Sequence, residues 1–295
     1  MIDLHSFENQ LLYSTVRIIG TKANGRTSAG TAFYYLFKDP SSARAGLILV
    51  TNEHVIQDVV IGQLELHLGK VGKDGEVCPL PESLTLTIKN FDKCWTRHPG
   101  GIDICAMPVG GFQKDLAEKG KTLFFRPLDE GLIPDDAELE SMNAIEEVSM
   151  VGYPIGLCDE KNNFPVLRRG ITASHPFFDF NGKPEGVVDI AAFPGSSGSP
   201  VLMLDQIGPF SSVMVRMGDP RTFLLGVLSS GPLLDAKGSI KIVEIPTSKT
   251  AETHTAVSVH LGYYIKAKEL RVLTQYLLTK IAEEEGKASH SPASP

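Results

Sequence analysis

Three residue types that together perform acyl transfer occur in this chain in a compatible order. Ser197 sits in Gly195-Ser196-Ser197-Gly198-Ser199-Pro200, His54 in Val50-Thr51-Asn52-Glu53-His54-Val55, and Asp103 in Gly101-Ile102-Asp103-Ile104. A glycine- and serine-rich run continues neither a helix nor a strand. Its backbone N–H groups are therefore free to converge on one point beside a hydroxyl. A hydroxyl attacks poorly until a base takes its proton. Imidazole does this near neutral pH, and a carboxylate on its other nitrogen fixes the tautomer and stabilises the imidazolium. His, Asp, Ser is one of the chain orders in which such a group occurs. Each element alone has a plainer reading, as a turn or a structural histidine. Asp103, flanked by isoleucines, reads as a carboxylate in a buried strand. There it is costly unless paired, and His54 is the expected partner.

The elements that must position these residues are mostly strands. Alternating or short apolar runs predict strands at 13–20, 30–37, 46–51, 63–69, 84–89 and 102–109. Six more are predicted at 147–152, 166–173, 187–192, 200–204, 223–230 and 257–266. Leu64, Leu66 and Leu68 share one face, as do Leu84, Leu86 and Ile88. Short strands punctuated by Gly, Pro, Asn and Asp predict an all-β sandwich or barrel. The segment 126–140 reads as a linker between a unit at 13–125 and one at 141–266. Leu4, Phe7, Leu11 and Leu12 predict a helical segment within 1–12, with Asp3 as its cap. Leu270, Leu273, Leu277 and Ile281 predict a packed helix over 267–286, stopped by Gly286, before a disordered tail at 287–295.

The chain has 295 residues, 42% hydrophobic and 21% charged, enough for a sizeable core. A net charge of −7 without a Lys/Arg block argues against nucleic acid as partner. No apolar run approaches the roughly 20 residues that span a bilayer, so no membrane partner is expected. The N-terminus lacks a basic segment followed by an apolar one. Cys78, Cys94, Cys105 and Cys158 lack CxxC spacing, which fits a reduced, cytoplasmic setting. His98, His175, His254 and His260 do not combine with acids or cysteines at ligand spacing, so neither a metal nor another cofactor is expected.

Taken together these stretches resemble trypsin-like serine peptidases of the chymotrypsin fold, nearer the bacterial HtrA-type proteases than the digestive ones. Thr51-Asn52-Glu53-His54-Val55 is similar to the family's histidine motif, and Asp103-Ile104-Cys105 to its aspartate motif. Gly195 to Pro200 is similar to GxSGGP, with Ser199 replacing the second glycine. Val151-Gly152-Tyr153-Pro154-Ile155-Gly156-Leu157 resembles the family's GNPFGL stretch. Gly226-Val227-Leu228-Ser229-Ser230-Gly231 resembles the strand edge that pairs with substrate, and Gly262-Tyr263-Tyr264 the family's C-terminal end. The resemblance spans residues 14–280. It implies two six-stranded antiparallel β-barrels with a C-terminal α-helix and a cleft between the barrels. It implies His54, Asp103 and Ser197 as catalytic, and the N–H groups of Gly195 and Ser197 as oxyanion donors for a polypeptide substrate. Ala191 aligns with the pocket floor; with Ala192, Leu228 and Gly262 it implies a neutral, apolar pocket.

The departures carry expectations of their own. Val55 replaces the disulfide cysteine of secreted relatives. Ser196 replaces the aspartate that receives a new N-terminus, so activation by N-terminal cleavage is not expected. Residues 232–256 are an insertion that could cover the cleft or bind a protein regulator, and 206–221 are a second. A PDZ-like module after the peptidase region is not expected. Two other readings compete. Ser197, Asp235 and His254 occur in α/β-hydrolase order, but that fold needs alternating helices and Gly-x-Ser-x-Gly. An inactive peptidase-like module could bind peptide along a strand edge without a triad.

Overall fold

The structure is a computed structural model that describes residues 3–39, 45–73, 75–204, 222–231, 233–240, 251–258 and 260–289. It opens with helix α1 (Phe7–Gln10) and a 3-10 turn at Leu11–Tyr13. The helix is shorter than the apolar spacing predicts. Its N-cap is Ser6, while the Asp3 carboxylate accepts from the His5 N–H instead.

Strands β1 (Thr15–Lys22), β2 (Thr27–Lys38) and β3 (Ala45–Thr51) follow, then helix α2 (Glu53–Ile56). Next come β4 (Val59–Val71), β5 (Val77–Lys89), a 3-10 turn at Phe91–Cys94, β6 (Thr96–Arg97) and β7 (Cys105–Pro108). These strands form a sheet in the order β5-β4-β1-β2-β3-β7-β6. Its two end strands, β5 and β6, are consecutive in the chain, so the backbone turn between them links the ends. The first unit is thus a sheet curled round on itself, as the expected first barrel requires. Register explains its filling: Leu64 faces Leu86 and Leu66 faces Leu84, and Leu64 and Leu66 are fully buried. Helix α3 (Gly110–Glu118) leads to β8 (Thr122–Leu123), which pairs β4, and to β9 (Leu128–Asp129), which pairs β2. Helix α4 (Asp136–Glu140) carries a capping box in which Asp135 and Glu138 bond each other's backbone N–H. Within segment 126–140, β9 is hydrogen-bonded to the first sheet, while Leu139 of α4 packs on an apolar cluster of the second half.

The second half holds β10 (Glu147–Gly152), β11 (Val166–Thr172), β12 (Glu185–Asp189), β13 (Pro200–Leu204) and β14 (Thr222–Ser230). Strands β15 (Leu233–Ile240) and β16 (Ala251–Ser258) form a separate antiparallel ribbon, and β17 (Leu261–Lys266) returns to the barrel. The barrel closes in the order β10-β11-β12-β17-β14-β13. The all-β expectation with a C-terminal helix is met, and among the described residues strands do not alternate with helices as an α/β-hydrolase requires. Asp235 and His254 lie on the ribbon, so the hydrolase order does not describe this fold. Insertion 206–221 lies outside the described residues. So do parts of 232–256, whose described strands no apolar pattern had marked.

Helix α5 (Lys268–Ser289) runs through Gly286, which does not stop it. Leu270, Leu273 and Leu277 are buried, and Ile281 is exposed. One apolar cluster joins Phe33 and Val50 of the first sheet, Val151 and Leu202 of the barrel, and these three leucines. The two halves are therefore packed into one body around the helix.

His67 on β4 is 4% exposed and packs at 4.8 Å on Tyr13 and 5.8 Å on Phe164, measured between ring centres. Burial lowers its pKa to about 4, against a smaller opposing hydrogen bond with the Asn163 backbone. The folded pKa lies below the ordinary 6.5, so as pH falls the unfolded chain takes the proton first. The stability is complete above about pH 6.5 and is lost as pH falls toward about 4, in total about 3 kcal/mol. Thermal melts at pH 7.5 and 4.5 test this: His67→Phe should flatten the loss relative to the native chain. Parallel losses in the two proteins would remove His67 from the acid response.

Candidate active site

His54 is placed by a strand-to-helix turn. Strand β3 is buried through Thr51, and Val55 and Ile56 anchor α2 beneath it. Asn52 stands at the N-cap in an extended conformation, but its side chain does not cap the helix. It donates instead to the Asp103 carbonyl at 2.7 Å. Arg97 on β6 bonds Glu53 of the same helix at 2.7 Å and also pairs with Asp92. These two carboxylates hold its guanidinium pKa above the ordinary value, the Glu53 hydrogen bond first among causes.

Asp103 is not in a strand. It occupies a bend between Gly101, at φ 68°, and the fully buried Ile104, and β7 begins only at Cys105. Its side chain is 38% exposed, which corrects the expectation of a buried carboxylate. The bend turns it toward α2 rather than into the core. Both oxygens then go to one residue. Oδ1 accepts from the His54 backbone N–H at 3.0 Å, and Oδ2 lies 2.6 Å from His54 Nδ1. With Nδ1 donating, Nε2 is left as the acceptor. The neighbouring Cys105 thiol is buried, and desolvation raises its pKa well above the ordinary value. All four cysteines are free.

The serine segment is two successive β-turns. Phe193-Pro194-Gly195-Ser196 closes with Ser196 N–H on Phe193 O at 2.9 Å. Pro194 stands at the second position and Gly195, at φ 91°, at the third. Ser196-Ser197-Gly198-Ser199 repeats this with Ser199 N–H on Ser196 O at 3.0 Å and Gly198 at φ 87°. Glycine at each third position supplies the positive φ of a type II turn. The inner N–H groups of a β-turn take no part in its closing bond. Gly198 N–H finds Leu228 O at 2.8 Å. Among the described residues, the N–H groups of Gly195 and Ser197 have no hydrogen-bond acceptor. The Pro194 carbonyl accepts from Ile155 N–H at 2.5 Å, and across a trans peptide this turns the Gly195 N–H the opposite way. Ile155 does so from a left-handed backbone at φ 48°, an unusual conformation for a β-branched residue.

The Ser197 hydroxyl donates to Ser229 O at 3.1 Å and forms no hydrogen bond with His54. The side chains of Ser196 and Ser199 are fully buried, and their hydroxyls lack partners among the described residues. Beyond Val227, strand β14 has no β13 partner, so Ser229, Ser230 and Gly231 present an edge to the serine turns.

Ala191 and Ala192 follow the end of β12 rather than lying in it. A Cβ built on Gly231 or Gly262 would lie 3.8 or 3.5 Å from the Ala192 methyl, and Leu228 meets Gly262 as well. These residues lie close together, whereas the cavity that includes Ala191 is lined by Ile155, Phe193, Arg168 and Arg169, which departs from the neutral, apolar pocket expected there. Sequence reading missed Arg168, whose Nη1 donates to Ala191 O at 2.7 Å and whose guanidinium lies 5.0 Å from the Phe193 ring centre. Alternation along β11 carried the signal, since Val166, Arg168 and Gly170 share the less exposed face. Sequence reading also missed the role of the Asn52 side chain.

Neither a protein-family model nor a curated protein sequence matches the chain. Solved structures with a similar backbone include the Rv3671c protease of M. tuberculosis in its active form. It is 15% identical, with 88% of this chain and 79% of that one covered and a TM-score of 0.40. The protease Anisep of Arthrobacter nicotinovorans is 10% identical, covering 86% and 90%, with a TM-score of 0.39. The scabies mite inactivated protease paralogue S-I1 is 12% identical, covering 92% and 97%, with a TM-score of 0.42. Similarity at this level carries no activity from those proteins to this one.

Proposed function

We propose that this protein is a serine endopeptidase acting through His54, Asp103 and Ser197. The observation that carries the reading is the two-point grip of Asp103 on His54, which leaves Nε2 as a proton acceptor. In this mechanism the Ser197 hydroxyl leaves Ser229 O and turns to His54. Catalytic hydrogen bonds often tighten in this way only when substrate binds. Ser197 Oγ attacks the scissile carbonyl while its proton passes to Nε2. The carbonyl oxygen, now negative, accepts from the N–H groups of Gly195 and Ser197. Collapse expels the amine, which takes the proton from His54, and water releases the acyl group by the same steps.

The free edge at Ser229–Gly231 pairs with the substrate backbone. The closeness of Ala192, Leu228, Gly231 and Gly262 supports a small apolar side chain at the cleavage position, because a Lys or Arg would be desolvated among them without a counter-charge. The ribbon of β15 and β16 is the place for a protein regulator. Four free thiols support a reducing, cytoplasmic setting.

The engagement of Ser197 with Ser229 favours a second reading, a peptide-binding module without turnover. A fluorophosphonate probe separates the two. Label mapped to Ser197, and lost in His54→Ala, is the expected result. No label, together with peptide binding and no cleavage of unfolded protein, would establish the binding module.

A further inference from the structure

Thr31 lies on β2 in the first sheet and is fully buried, yet its polar atoms reach the second barrel. Its N–H donates to Ser197 O at 2.9 Å. Its hydroxyl donates to Gly195 O at 3.0 Å and accepts from Tyr153 N–H at 3.1 Å. Its carbonyl accepts from the Thr51 hydroxyl at 2.6 Å, at the end of the strand that leads to His54.

A hydroxyl has one proton to give. Gly195 O can only accept and Tyr153 N–H can only donate, so that proton goes to Gly195 O and the bridge has a direction. It holds the Gly195–Ser196 peptide. The preceding peptide, Pro194–Gly195, is held by Ile155 N–H, two residues beyond Tyr153. The one hydroxyl therefore steadies both clamps that aim the Gly195 N–H. A backbone contact alone would join the two halves without doing this.

We propose that the Thr31 hydroxyl is a positioning residue that sets the oxyanion donors from the opposite half of the molecule. This rests on the serine endopeptidase reading. Thr31→Val keeps the shape and removes the hydroxyl, while Thr31→Ser keeps the hydroxyl. The expected result is a fall in kcat of about 10–100-fold in Thr31→Val with KM little changed, somewhat less than losing an oxyanion donor outright. Affinity for a peptide aldehyde, which places an oxyanion in the site, should fall by a similar factor. Affinity for the corresponding peptide alcohol should hold, and Thr31→Ser should recover most of the rate. If Thr31→Val does not fold, Thr31→Cys retains the volume with a weaker donor and should give an intermediate loss in the same two readouts.

Native kcat and aldehyde affinity in Thr31→Val, or equal losses in Thr31→Val and Thr31→Ser, would overturn the positioning role while native labelling of Ser197 upholds the peptidase. A native protein that neither labels at Ser197 nor cleaves peptide overturns both.

Discussion

Asp103→Asn is expected to lower turnover by about 10⁴ with little change in stability. The size of the effect follows from how the carboxylate is used. The His54 backbone N–H needs an acceptor, and one oxygen supplies it at 3.0 Å. An amide has only one oxygen. If that oxygen stays with the backbone, the NH₂ faces Nδ1, which must then accept. The ring proton moves to Nε2, and the imidazole no longer takes a proton from Ser197. Stability changes little because the two side chains are 45% and 38% exposed and the substitution preserves shape. Steady-state turnover on a peptide, imidazole proton resonances and a thermal melt check the three parts. Turnover within tenfold of the native protein would remove Asp103 from the mechanism.

The second large effect is on folding. Gly198→Ala places a methyl 1.9 Å from Thr31 O and 2.5 Å from Thr51 Oγ1, at a φ of 87°. The left-handed backbone costs about 1–2 kcal/mol with a Cβ. Overpacking adds about 1–3 kcal/mol, because the nearest obstacle is backbone that cannot rotate aside. A loss of about 2–5 kcal/mol lowers Tm by roughly 10 °C at this chain length. It also displaces the adjacent Ser197, so activity falls with stability. Gly120→Ala is the control. It has φ 68° but nothing within 4 Å, so only the backbone cost should appear. Equal melting shifts in the two variants would show that the crowding at Thr31 is unimportant.

The alternation of Leu64, Leu66 and Leu68 with their partners was legible because strand period is set by neighbouring residues. The irregular backbone at 195–200 was legible in the same way, from its glycines and serines, although the preceding turn at 193–196 was not read. The end of α5 was not, because a packed stripe of Leu270, Leu273 and Leu277 holds a helix together past an unfavourable glycine. Asp103 was recognisable as a residue that needs a partner, but not as an exposed one. Flanking isoleucines report a strand pattern, and they do not report the bend that releases the carboxylate toward α2.

What the sequence by itself determined is the all-β character, the C-terminal helix and the residue types that could perform acyl transfer. All of these depend on short-range spacing. Tertiary structure alone decided that Asn52 grips the Asp103 backbone, that Arg168 meets Ala191, and that Thr31 bridges to Gly195. The last pair stands 164 residues apart. Such contacts arise when the closed barrel packs against the sheet, and no local pattern encodes the relative placement of two separately formed layers. It was the structure, too, that turned the Ser197 hydroxyl toward Ser229. A side-chain rotamer follows from the acceptors within reach, and those are known only once the strands have met.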